Sequence, residues 1–192
     1  MRERAARPRA SGSPSKVRPG WAFVPALGGA LAHAPFLRFD LARGLKRPLN
    51  ERLFGANKTV RGALAMWGGT LAATVALHLA PFYRERLPVE LREAGPWRHG
   101  ALLGAAVVLG ELPNSALKRR IGIAPGERAS SPLGAALAIH DQADFVLGAW
   151  PLMAPIWRMR PSEVAEAFAL VAGAHMAVNM AGYALGARTS PL

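Results

Sequence analysis

The sequence predicts an all-α integral membrane protein, a bundle of about five transmembrane helices with two cytoplasmic functional loops. Three observations predict it. Of 192 residues, 51% are hydrophobic, although Lys and Arg number 24 against 12 Asp and Glu. The charge is gathered into blocks between long apolar segments, the pattern of a chain that crosses a bilayer. The alternating strands of about ten residues that build a membrane barrel are absent. Basic residues that interrupt apolar segments do not form the stripe that nucleic acid requires, so no nucleic-acid partner is expected. The chain has no cysteine, which excludes a disulfide framework and thiolate metal sites.

Residues 1–20 hold Arg2, Arg4, Arg7, Arg9, Lys16 and Arg18 against Glu3, with Pro, Ser and Gly between. This is a disordered basic N-terminal tail by composition, with contact to anionic lipid as the alternative role. Residues 21–187 read as a single transmembrane domain. The first span is 21–37, uncharged and about long enough to cross. A signal peptide is the rival reading, but Pro35 after the Ala32–Ala34 cleavage pattern and the long basic region argue against it. Loop 38–61 carries seven bases against Asp40 and Glu51. The second span is 62–80, where Gly62, Gly68 and Gly69 suit close helix packing. Residues 81–99 are polar and nearly balanced in charge, and 100–117 form a third span that is apolar until Glu111. The second functional loop is 118–140. A fourth span, 145–157, is short and interrupted by Pro151 and Pro155, and needs a helix that starts near His140. The fifth is 164–186. With five spans both basic loops share one side, and the positive-inside rule makes that side cytoplasmic. The basic tail then lies on the other side, against the same rule.

The chemistry concentrates in the two basic loops. Glu111, Asn114, Ser115 and Lys118 stand at i, i+3, i+4 and i+7, one face of a helix, with a kink expected at Pro113. An acid inside a membrane helix is costly unless paired, hydrated or metal-bound, and is a functional candidate by default. Glu111 could equally pair with Lys118 or Arg119 and merely end the span. Gly122, Pro125, Gly126 and Gly134 make a loop able to bring backbone near a ligand, and 134–139 is expected to dip into the interface. Asp141 and Asp144, at i and i+3, open the fourth helix on one face. Paired hard carboxylates suit Mg²⁺; favourable charge at a helix N-terminus is the bland alternative. In the first loop Lys58 and Arg61 lie one turn apart at the start of span two, where helix dipole, backbone N–H groups and two cations together make an anion site. His33, His78, His99 and His140 have no metal spacing, and His175 with Asn179 is read as a hydrogen-bonding pair within the bundle.

FGANKTVRG at 54–62 resembles the FG-x-x-KT-x-RG loop of CDP-archaeol synthases, membrane-embedded CTP transferases of ether-lipid synthesis. ELPNSALKRRIGIAPG at 111–126 is similar to that family's acid, Ser-x-x-Lys-Arg-Arg and Gly-Ile stretch, and DQADFVLGA at 141–149 to its Asp-Gln-x-Asp-Phe-x-x-Gly segment. The likeness covers about 21–187, and a more distant one runs to phosphatidate cytidylyltransferases. It implies transfer of a cytidylyl group from CTP to a membrane lipid phosphate, giving a CDP-lipid and pyrophosphate. It also implies roles. Asp141 and Asp144 hold Mg²⁺ with Glu111, where the family usually has Asp. Asn57, Lys58, Thr59 and Arg61 grip the triphosphate. Ser115, Lys118, Arg119 and Arg120 complete the phosphate pocket, and Lys118 joins the Asp pair in catalysis. The implied partners are CTP, a lipid phosphate and the bilayer; a homodimer stays open. The Arg- and Ala-rich composition points to a bacterial inner membrane, with the site facing the cytoplasm. A non-catalytic lipid-binding or scaffold protein is the alternative function. A transporter would want inverted repeats, and none is found.

Overall fold

The computed structural model describes residues 17–124, 136–137, 140–141 and 143–184, and among them every regular element is helical. A 3₁₀ turn, Pro19–Phe23, leads into α1, Ala26–Arg38. A second 3₁₀ turn, Arg43–Leu45, and the single helical turn α2, Glu51–Phe54, occupy the first basic loop. The long helix α3, Val60–His78, follows; α4 is the short Pro81–Arg84; α5 is Val89–Arg120. Beyond the second loop come α6, Asp144–Met153, and α7, Pro161–Ala184. Three stretches among the described residues are long and apolar enough to cross a membrane: Pro19–Arg38, Val60–His78 and Val89–Arg120. Residues 1–16 of the basic tail lie outside the described residues, as do 125–135 of the second loop, and with them 134, 135, 138 and 139 of its expected dip.

Two elements differ from the sequence expectation. The polar stretch 81–99 is mostly helix, because Val89–Arg120 begins a full eleven residues before the third span. Gly95 breaks that helix with φ 79° and ψ 168°, a left-handed conformation that glycine adopts without a Cβ penalty. Pro96 then starts the straight part, where a proline costs no hydrogen bond. At Pro113, where a kink was expected, the backbone stays helical; Gly95 is the one non-helical residue within α5. The fourth span is also shorter than expected. Helix α6 has ten residues, about 15 Å, half of the ~30 Å hydrocarbon thickness.

Helix α1 packs on α3, α3 on α5 and α5 on α6, while the first 3₁₀ turn packs on α7. Small residues let these backbones approach, as is general where lipid supplies no hydrophobic drive between helices. The α5–α6 crossing is the tightest for function. A Cβ on Gly110 would lie 2.6 Å from the Phe145 Cα, and one on Gly148 would collide with the Gly110 Cα. The core continues away from this crossing through Leu103, Ala106, Val146, Met153 and Trp157. At the end remote from the basic loops, His78 Nε2 and His99 Nδ1 are 3.1 Å apart, and His99 Nε2 lies 3.0 Å from the Ala22 carbonyl oxygen. This chain of hydrogen bonds ties the first, second and third spans together.

The Gly110–Gly148 contact yields the first prediction. Gly148→Val overpacks the crossing, a change that costs about 1–3 kcal/mol. It is expected to lower the melting temperature of the detergent-solubilised protein, whereas Gly68→Ala, where a Cβ meets nothing within 4 Å, is expected to leave it unchanged or raised. Equal melting of Gly148→Val and the wild type would contradict this packing.

Candidate active site

The loop before α3 is closed by its own backbone. Pro48 and Thr59 form an antiparallel bridge, Leu49 N–H donates to Lys58 O at 2.7 Å and Val60 N–H to Arg47 O at 3.0 Å. Asn50 caps α2 by accepting from Leu53 N–H at 3.0 Å. Thr59 caps α3, its hydroxyl accepting from Gly62 N–H at 3.1 Å, so its side chain is committed to starting the helix. Lys58 therefore leaves a fixed point at the head of α3, and its ammonium reaches Glu111 on α5.

Arg61 has a different role. It is 4% exposed, and its Nη1 donates to Asp40 Oδ1 at 2.7 Å and to the Leu41 carbonyl at 2.8 Å. Asp40, at φ 46°, also meets Arg43 at 3.0 Å and Lys46 at 3.3 Å. The guanidinium thus pins the turn after α1 to the start of α3. Asp40 gave no signal in the sequence beyond being one of two acids in a basic loop.

On α5 the face shared by Glu111, Asn114 and Lys118 points at α6 and the first loop. Lys118 pairs with Asp141. The Asn114 amide nitrogen donates to Asp141 Oδ1, and lies 3.5 Å from Asp144 Oδ2. Asn114 and Asp144 are 4% and 5% exposed, deep enough that an uncompensated charge there is expensive. Glu111 and Asp141 lie within electrostatic reach of Asp144. Three carboxylates therefore converge, but two lysines pair with two of them, and Asp144 has no ion pair among the described residues. Among the described residues, Asn114 Oδ1 is buried without a hydrogen-bond partner, as are Nε and Nη1 of Arg119 and Nδ1 of His140. An orphaned buried polar group costs about 1–3 kcal/mol. Ser115 is half-buried, while Asn57 and Arg120 are exposed. Helix α5 ends in a Schellman turn, with Ile123 N–H donating to Lys118 O at 2.9 Å and Gly122 N–H to Arg119 O at 3.2 Å.

Among the described residues no three His, Asp or Glu side chains are gathered closely enough to hold a metal ion alone. The donor set fits a cation nonetheless. Its oxygens are hard, its acids outnumber their lysine partners, and Mg²⁺ ordinarily takes one or two carboxylates and completes its shell with water and substrate phosphates.

A helical membrane bundle with acids, an amide and lysines converging between its helices defines an all-α integral membrane protein of the intramembrane-enzyme class. The chain belongs to the CDP-archaeol synthase family: the family described as "CarS-like: CDP-archaeol synthase" matches residues 40–191. The CDP-archaeol synthase of Methanosarcina mazei is 30% identical over 73% of this chain and 83% of its own length. That of Aeropyrum pernix is 30% identical over 77% and 75%, and that of Sulfolobus acidocaldarius 30% identical over 88% and 93%. A solved structure of an intramembrane enzyme for archaeal membrane lipids biosynthesis superposes with a TM-score of 0.60, at 26% identity over 83% of this chain and 91% of that one. These relatives are archaeal, which overturns the expectation of a bacterial inner membrane and points to an archaeal one. Ala and Arg content reflects helix-forming and cation choices common to many lineages; it carries no information about which membrane receives the chain.

Asp40 supplies a pH test of the clamp. Its carboxyl is held below the usual range, first by the hydrogen bond from Arg61 and next by Lys46, with added charge from Arg43. A carboxyl with a lowered folded pKa contributes stability above its unfolded value of about 4, and that contribution disappears as pH falls through the folded value. Asp40→Asn is therefore expected to melt below wild type at neutral pH, with the gap closing below about pH 4. Identical melting at neutral pH would show that the clamp contributes nothing.

Proposed function

We propose that this chain transfers a cytidylyl group from CTP to a membrane lipid phosphate, releasing pyrophosphate, at the junction of α5, α6 and the first loop. The observation that carries the reading is the convergence of Lys58, Glu111, Asn114, Lys118, Asp141 and Asp144 from three separate segments onto one partly buried point, in a chain of this family. An oxygen of the lipid phosphate attacks the α-phosphorus of CTP. A new phosphorus–oxygen bond forms, the α–β bridging bond breaks, and its electron pair leaves with pyrophosphate. The nucleophile is already ionised at neutral pH, so no strong base is needed. The barrier lies in bringing two polyanions together, which positioned positive charge lowers.

Lys58 and Lys118 sit on carboxylates within reach of any phosphate entering the cluster, and Arg119 offers two buried N–H-bearing nitrogens without partners among the described residues. These three residues grip the triphosphate, with Asn57, Ser115 and Arg120 around the mouth. Arg61 and Thr59 contribute by fixing the loop that carries Lys58. Asp141 and Asp144, with Glu111 beside them, would hold Mg²⁺, which would supply Lewis-acid charge to the triphosphate. Asp144, buried and without an ion pair, is the acid most in need of that cation. The ten-residue α6 brings this pair below the end of α5, so that a water-borne nucleotide and a bilayer-borne headgroup meet where the hydrocarbon gives way to the loops.

The test is incubation of purified protein with Mg²⁺, CTP and a panel of diether and diacyl lipid phosphates, followed by mass spectrometry. A CDP-lipid is expected, with the diether substrate preferred. Asp141→Asn and Asp144→Asn are expected to lose about 10²-fold or more in rate, the scale of removing one transition-state charge contact. No CDP-lipid from any substrate would favour a lipid-binding or scaffold role, and full activity in the Asn variants would move the reaction away from this cluster.

A further inference from the structure

Asn114 has one half of its amide engaged and the other half idle. Its nitrogen bridges the two carboxylates, touching Asp141 Oδ1 and approaching Asp144 Oδ2 at 3.5 Å. Its oxygen is buried with no hydrogen-bond partner among the described residues, in a residue 4% exposed. The orientation is set by charge, because turning the amide over would aim a carbonyl oxygen at two carboxylates. The idle oxygen therefore sits at the edge of an acid cluster, where a cation is the natural complement. It cannot be moved elsewhere, because the tether holding it there is the hydrogen bonding of its own nitrogen. Among the described residues the two lysines of the cluster do not fill the gap: Lys58 is on Glu111 and Lys118 is on Asp141.

We propose that Asn114 Oδ1 is a ligand of the divalent cation that Asp141 and Asp144 hold, a neutral oxygen supplied from α5 to an ion otherwise held by the first residue of α6 and the turn before it. The inference rests on the cation reading of the site given above. It explains why an amide, and not a fourth acid or an apolar residue, occupies the buried centre. The amide nitrogen keeps two like-charged carboxylates together when the metal is absent. The amide oxygen then joins the metal shell without adding negative charge that the incoming triphosphate would have to overcome. It also makes the cation bridge the α5–α6 crossing, so that metal binding and the Gly110–Gly148 contact support each other.

The test uses the full chain in detergent micelles with Mn²⁺ alone as the probe, its free concentration read by electron paramagnetic resonance. Wild type is expected to bind. Asn114→Leu, close in size but without either polar atom, is expected to bind at least about 10-fold more weakly, the loss typical of impaired metal-site contacts. Asn114→Asp, which keeps an oxygen at the position, is expected to recover binding to near or above the wild-type level. Wild-type binding with an unchanged Asn114→Leu overturns the Asn114 role alone, as does an Asn114→Asp as weak as Asn114→Leu. Absence of binding by the wild type overturns the cation reading and this inference together. A readout on unaltered protein guards against variants that fold poorly. With ¹³C-labelled asparagine, addition of Mg²⁺ is expected to shift a side-chain amide carbonyl band in the infrared difference spectrum, and no shift overturns the proposal.

Discussion

Charge placed inside a membrane protein must be matched, and the α5–α6 junction is organised by that requirement. Removing an ion from water costs several kcal/mol even after relaxation, and Asp144 is 5% exposed. The chain meets the cost in parts. Lys118, two turns along α5, takes Asp141; the Asn114 amide spans the Asp pair; Lys58 arrives from another loop to take Glu111. Among the described residues the match is incomplete by one charge, and that incompleteness makes the cluster receptive to a cation and not merely a structural knot. The close approach of Gly110 and Gly148 is what allows the two helices to present these groups to each other at all.

The same requirement explains the build of the first loop. A lysine can serve a half-buried acid 53 residues away only if its backbone is held. The Pro48–Thr59 bridge, the Thr59 cap and the Arg61–Asp40 clamp hold it from three directions. Cations that pair with carboxylates can also pair with phosphate, so pairing and substrate capture draw on the same residues. Positioning matters here more than strength, because phosphoryl chemistry of this kind asks the protein for geometry and charge more than for covalent help.

Much of this was legible in the sequence, for identifiable reasons. Charge blocks between apolar runs report a membrane bundle because lipid tolerates few alternatives. The i, i+3, i+4, i+7 spacing from Glu111 to Lys118 reports a shared face because the helix period is fixed, and the motif likenesses reported the family. Other features escaped. Helix α5 starts at Val89 because a Gly–Pro step can both bend and restart a helix, which polarity alone read as a loop. The shortness of α6 depends on a tertiary crossing. Asp40 became important only through a partner 21 residues away. Arg61 and Thr59 carry the right motif letters, but their side chains serve the loop itself. The pairing of His78 with His99 has no sequence spacing to betray it.

The central claim is that the lysines pairing with the acids at this junction are the groups that receive the nucleotide. Equilibrium binding of CTP to detergent-solubilised protein tests it most directly, comparing wild type with Lys118→Met at matched thermal stability. The account predicts measurable binding by wild type and at least about a tenfold loss in the variant, the worth of one charge-assisted hydrogen bond. Equal CTP affinity in the two proteins would contradict it.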